Sequence, residues 1–247
     1  MTRPLALLRP EPGWSASAAR ARDLGMAIIG HPLFEAEPVS WELPEGGFDA
    51  LLAGSATVFA HGGSNLDRFR HLPVHAVGKA TADAANSAGF SVSKVGEGGL
   101  QALLDGAAGE TRHYLRLGGA ERVSLTAHPG QRLTEVAVYR MRPIPLVPDF
   151  ARLLASGPAV VGLHSAAAAR HFACEVERLH IPRTTLTVLA LGQRIAQAAG
   201  GGWASVEIAD RPNEAALLAK AAALCKEGPQ GRATAAKAAN GSQNGSG

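Results

Sequence analysis

The sequence predicts an α/β protein of two parallel-sheet lobes, flavodoxin-like or Rossmann-like in kind. Three observations lead there. Short apolar runs alternate with stretches of helical periodicity along most of the chain, the pattern of stacked βα units. The first alternation closes a strand–helix–strand unit in about 30 residues, long enough to cross over a sheet and lay the second strand parallel to the first. Prolines at 143, 145 and 148 then interrupt any helix or central strand and read as a linker. A length of 247 residues permits one large fold or two modest lobes, so the punctuation decides.

Residues 5–9 are a short apolar strand ending at Pro10. Residues 14–24 carry Ala and Arg at helical spacing and stop at Gly25, a glycine C-cap, and 26–29 form the next strand. Residues 48–52 read as a short helix, 57–60 as a strand, 65–71 as a helix and 74–77 as a strand. A helix over 79–88, capped by Gly89, a strand over 90–95, a helix over 100–104 and a strand over 112–117 follow. Residues 133–141 alternate in the manner of a longer strand. Beyond the prolines come helices at 150–154, 166–180, 194–199 and 214–224, interleaved with strands at 159–163, 186–191 and 203–208. From Lys226 onward the chain is Gly, Ser, Ala, Asn and Lys without periodicity, and a disordered tail over 226–247 is expected.

Hydrophobic residues make up 46% of the chain and charged residues 18%, which predicts a packed core. The pI near 9.1 invites a nucleic-acid reading. Lys226, Arg232 and Lys237, set against Glu227, place two of the three net positive charges in the tail, however, and aromatics are only 5%. No clustered basic face with stacking rings remains, so no nucleic-acid partner is expected. Cys174 and Cys225 lack ligand spacing and are expected to be buried, inert thiols. The apolar run at 5–8, between Arg3 and Arg9, is too short for a signal peptide, and no stretch reaches membrane-spanning length; a cytoplasmic protein without membrane contact is expected.

An internal repeat is visible. Val58-Phe59-Ala60-His61-Gly62 resembles Val161-Gly162-Leu163-His164-Ser165, and Ala76-Val77-Gly78-Lys79-Ala80-Thr81-Ala82 resembles Ala190-Leu191-Gly192-Gln193-Arg194-Ile195-Ala196. It implies two lobes with related loops and a small-molecule site in the cleft they form. A strand that turns through Gly or Ser into a helix presents free N–H groups and the positive end of the helix dipole, which suits an anion. Gly78, Thr81, Ser165 and Gly192 occupy such turns. The plainer reading is that the glycines permit tight turns and Ser165 is an N-cap.

No nucleotide-binding glycine fingerprint opens a helix, so NAD and ATP are not expected. His61, His71 and His75 lack metal-ligand spacing and read as solvated or cap-forming, and no Gly-x-Ser-x-Gly elbow announces a serine hydrolase. Tyr139 lies just before Arg140-Met141-Arg142-Pro143. Its phenol suits either a proton donor to a leaving hydroxyl or a packing residue on a strand.

Taken in order, Leu8-Arg9-Pro10, Gly30-His31-Pro32-Leu33, the 76–82 segment with Gly89, Val138-Tyr139-Arg140 and Leu163-His164-Ser165 resemble the uroporphyrinogen-III synthase family over about residues 5–225. The resemblance implies one lobe from 1–34 plus 147–225, another from 39–137, and linker strands at 31–39 and 138–146. It also implies a monomer that cyclises the linear tetrapyrrole hydroxymethylbilane without a cofactor or metal, losing water and inverting the terminal pyrrole ring. Tyr139 would assist departure of the hydroxyl. The substrate carboxylates would be held by helix-start amides and side chains at Arg9, Gly62, Ser64, Gly78, Lys79, Thr81, Ser165, Gly192, Gln193 and Arg194.

Three departures stand out. His61-Gly62 replaces the family's usual Thr-Ser, Gln193-Arg194-Ile195 replaces Pro-Thr-Thr after Gly192, and residues 118–133 look short for a helix. They motivate an alternative, a non-catalytic tetrapyrrole- or anion-binding module on the same fold.

Overall fold

A computed structural model describes residues 3–11 and 13–226, so the expected tail falls outside the described residues from 227 onward. The chain opens with β1 (Leu5–Leu7), α1 (Gly13–Asp23), β2 (Ile28–Gly30) and β3 (Phe34–Pro38). It continues through β4 (Ala50–Ala53), α2 (Thr57–His61), β5 (Val74–Val77), α3 (Lys79–Ser87), β6 (Val92–Gly96), α4 (Leu100–Asp105), β7 (Arg112–Gly119) and β8 (Gln131–Pro143). The last part is α5 (Pro148–Ala155), β9 (Ala159–Leu163), α6 (Ala166–Arg178), β10 (Leu186–Ala190), α7 (Gln193–Ala199), β11 (Ser205–Ile208) and α8 (Glu214–Lys226). Two compact units result: Met1–Glu35 with Pro143–Gly247, and Ala36–Arg142.

The first unit carries a five-stranded sheet in the order β11-β10-β9-β1-β2, all parallel. In order of appearance within the unit this is the 2-1-3-4-5 winding of flavodoxin-like folds, with the topological switch between β1 and β9. One face packs Phe150, Leu154, Phe172 and Val176 from α5 and α6; the other packs Ala21 and Leu217, Leu218 and Ala221 from α1 and α8. Because both faces are covered, β1, β9 and β10 are buried at every residue.

The second unit has six strands in the order β3-β8-β7-β4-β5-β6. Read from β6, the succession β6-β5-β4-β7-β8 matches β11-β10-β9-β1-β2 place for place. The two units therefore share one winding and differ in where the chain enters it. The counterpart of the β1–α1–β2 crossover is β7–β8, which returns through a loop at 120–130 with no helix. β3 and β8 pair at the sheet edge, where Glu37 meets both Arg140 and Arg142.

Two expected elements are exchanged. Residues 50–53 form a strand where a helix over 48–52 is expected, and 57–61 form a helix where a strand over 57–60 is expected. Ala50-Leu51-Leu52-Ala53 has helix-favouring composition, but all four residues are fully buried, as a central strand covered on both faces requires. Thr57-Val58-Phe59-Ala60 has strand-favouring composition, yet Ser55 turns the chain there. Its Oγ accepts the Thr57 N–H at 3.2 Å and donates to Thr57 Oγ1 at 2.9 Å. The helix expected over 65–71 is a 3-10 turn over Ser64–Phe69. Cys174 is exposed on α6, contrary to expectation, while Cys225 is buried and its thiol is pushed up to about 11 by burial.

Candidate functional site

Ligand sites in such sheets form outside the carboxyl ends of the strands at the switch point. In the second unit that point lies at the ends of β4 and β7, where a cavity of about 410 Å³ opens. Gly54 and Ser55 after β4, Gly118 and Gly119 at the end of β7, and Tyr139 on β8 line it. The β7–β8 register shifts at this level, setting Tyr139 opposite Gly119, and the Ala120 N–H closes on the Tyr139 carbonyl at 2.8 Å. A Cβ on Gly119 would stand 3.0 Å from the Tyr139 ring and 3.4 Å from its hydroxyl, so the bare glycine lets the phenol lie against this strand end. The His61 ring lies 6.5 Å from the Tyr139 ring, centroid to centroid. The other tyrosine, Tyr114, is sealed in the core, its hydroxyl without a hydrogen-bond partner among the described residues, so Tyr139 is the phenol available to chemistry here.

The first unit fills its switch point with charge. Arg9, just past β1, donates from Nη1 to Ser17 Oγ and to Glu214 Oε2, both at 3.0 Å. His164, just past β9, donates from Nε2 to the same carboxylate oxygen at 2.9 Å. Burial raises the Glu214 carboxyl pKa. Hydrogen bonds from His164 and Ser17 and the charges of His164 and Arg9 outweigh that and hold it down at about 2.

The remaining candidates divide between the units. Lys79 begins α3 and spans to Asp83 at 2.7 Å, with its side chain 87% exposed. Gly78 sits at φ +76 with its N–H on the Gly96 carbonyl, and Thr81 is buried in the first turn of α3. Ser165 is an exposed N-cap whose Oγ accepts the Ala168 N–H at 3.1 Å. Gly192 caps α7 in an extended conformation open to any residue, with Gln193 and Arg194 exposed behind it. Ser64 is exposed at the start of its 3-10 turn.

The expectation for Gly62 is corrected. It ends α2 instead of following a strand; its N–H bonds the Val58 carbonyl, and its own carbonyl accepts from Trp41 Nε1 at 2.8 Å. The strand end that repeats Leu163-His164-Ser165 is Ala53-Gly54-Ser55, so the hydroxyl thought lost at His61-Gly62 is present at Ser55. His75 is likewise buried in the sheet, and burial lowers its pKa, so it is not a solvated histidine. Among the described residues no group of three or more His, Cys, Asp or Glu is arranged to hold a metal, and no helix is long and apolar enough to cross a membrane. Sequence reasoning missed Ser55, Glu214, Arg116 and Arg122. Only Ser55 had a signal, the wholly apolar run that precedes it.

The family model described as Uroporphyrinogen-III synthase HemD matches residues 15–219. The chain belongs to the uroporphyrinogen-III synthase family. Among solved structures, the uroporphyrinogen-III synthetase of Helicobacter pylori 26695 is similar at 19% identity, covering 90% of this chain and 99% of that one with a TM-score of 0.59. The wild-type uroporphyrinogen III synthase of the extremely thermophilic bacterium Thermus thermophilus is similar at 19% identity over 90% and 97%, with a TM-score of 0.41. No curated protein sequence matches. Family membership gives the chain a role in heme biosynthesis, in an enzyme family that acts on a tetrapyrrole.

The geometry of this synthase-family site bears on stability at two residues. A Cβ at Gly62 would come within 2.5 Å of Leu66 Cδ1 and 2.8 Å of the Val58 carbonyl. Gly62→Ala should therefore lower stability by about 1–3 kcal/mol in denaturant unfolding through overpacking. An unchanged midpoint would show that the helix end yields freely. For Glu214, a folded pKa of about 2 lies below the ordinary 4.5. The stabilisation is complete above 4.5 and is lost as pH falls through 2, by about 3 kcal/mol at most. Glu214→Gln should flatten the unfolding free energy across that window, and an equally steep fall in the variant would place the acid sensitivity elsewhere.

Proposed function

We propose that this chain is a cytoplasmic, monomeric, cofactor-free hydro-lyase that cyclises hydroxymethylbilane to uroporphyrinogen III. The observation that carries the reading is Tyr139 in the cavity at the second unit's switch point, held against Gly119 and sharing the pocket with Ser55. In the proposed step the phenol gives its proton to the terminal hydroxyl, the carbon–oxygen bond breaks and water departs. The carbon so freed bonds to the terminal ring at its already substituted α-carbon, the bond from that carbon to the neighbouring methylene breaks, and the methylene rejoins the ring at its free α-carbon, which inverts the ring. The proton displaced there returns to the phenolate. The chemistry is undemanding once the ends are placed, and orientation of this kind accounts for up to about 7–11 kcal/mol of barrier. The helix starts behind Gly78 and Ser165 and the open turn at Gly192 offer amide N–H groups to the substrate's carboxylates.

The alternative of a non-catalytic binder draws on three departures. Ser55 supplies a hydroxyl for the first, which leaves Gln193-Arg194-Ile195 and the helix-free loop at 120–130 in its favour. Purified protein given hydroxymethylbilane should yield the III isomer well above the enzyme-free control. Product no richer in that isomer than the control overturns the synthase reading, and porphyrinogen binding without turnover would establish the binder. Tyr139→Phe should slow turnover at least about tenfold if the phenol is the acid, and an unchanged rate removes that role.

A further inference from the structure

The cavity beside Tyr139 also holds two guanidinium groups that the proposed proton transfer does not employ. Arg116, on β7, is a charged side chain only 7% exposed, beneath the cavity. Its Nη1 bonds Glu135 and donates to the Val123 carbonyl at 2.8 Å, while its buried Nε has no hydrogen-bond partner among the described residues. Arg122 lies on the loop that replaces a crossover helix. Its Nη1 donates to the Gly119 carbonyl at 2.9 Å, and its Nε stands 3.9 Å from Glu135. That single carboxylate therefore faces two guanidiniums, and it holds the inner one closely and the outer one loosely.

Arg122 is the accessible member, with its side chain 24% exposed and most of its donors uncommitted to Glu135. The acidic residue lining the cavity, Glu121, is exposed to water on the same loop. Arg116 holds that loop at Val123, and Arg122 holds its start through Gly119, the residue on which the Tyr139 ring lies. A planar guanidinium that lines the same cavity as a phenol and a second, buried cation matches a carboxylate arm in two-pronged geometry.

We propose that Arg122 binds one carboxylate arm of the substrate next to the reacting hydroxyl, with Glu135 and Arg116 as the positioning residues that hold it. The inference rests on the synthase reading for the identity of the ligand. Its chemistry requires only a carboxylated pyrrole arm small enough for the cavity.

The test compares the full chain with Arg122→Gln and Arg122→Lys, using uroporphyrin III as a binding probe and hydroxymethylbilane as substrate. Arg122→Gln should weaken uroporphyrin III binding about tenfold to a hundredfold and raise KM by more than it lowers kcat. Arg122→Lys, which keeps the charge but not the fork, should recover only part of the affinity. Equal thermal midpoints would show that the loss is not one of folding. Arg122→Gln binding within about twofold of wild type overturns the subsite, and so does a wild-type chain that does not bind the probe. A wild-type chain that binds uroporphyrin III in an Arg122-dependent way, yet makes no III isomer, overturns the synthase reading and leaves the carboxylate subsite standing.

Discussion

The constraint on which this molecule depends is that its central strands are covered on both faces. β1, β4, β9 and β10 bury every residue they contain, and apart from Gly162 and Thr187 those residues are Leu, Val and Ala. Polar chemistry has nowhere to go along such strands and collects in the turns at their ends. In parallel sheets the carboxyl-end turns lie together at one edge, and where the winding reverses the two adjoining connections diverge and leave room. Tyr139, Ser55 and Gly119 at one switch point, and Arg9, His164 and Glu214 at the other, occupy the places that this rule leaves for them.

Charge buried at these points survives only with partners. Arg116 at 7% exposure would be costly alone, and Glu135 offsets the cost only in part because the pair also has to leave water. The Lys79–Asp83 pair, exposed at 87% and 58%, contributes little to stability despite its 2.7 Å separation. The partly buried ion pairs are therefore better explained by what they position than by any net stabilisation.

The sequence was most legible where local chemistry and tertiary context agree. β5, β9, α3 and α8 fall within a residue or two of their expected limits, since apolar runs, glycine turns and helical periodicity all point the same way there. It misled where they conflict. The Ala-Leu run at 50–53 is a strand because burial on two faces overrides helix propensity, and Thr57-Val58-Phe59 is helical because Ser55 organises the turn before it. That one exchange moved the apparent repeat to Gly62 and hid Ser55. Arg122 and Glu214 could not be read at all. Glu214 owes its role to Arg9 and His164, far away in the chain, and Arg122 to Glu135 on the next strand and to the Gly119 carbonyl three residues before it, and no spacing rule links them.

The two units make the same winding serve different ends. In the first, α1 returns the chain between adjacent parallel strands, and Arg9 beside it is drawn into a closed set of hydrogen bonds with Ser17 and Glu214. In the second, the matching crossover has no helix, and the loop at 120–130 brings Arg122 to the edge of an open cavity instead. Arg9 is bound closely to Glu214 and Ser17, whereas Arg122 stands 3.9 Å from a carboxylate that Arg116 holds more closely. The same strand order therefore yields a switch point occupied by a charged hydrogen-bond network in one unit and one that opens into a cavity in the other. It is at the open one that the phenol and the cation line a common cavity.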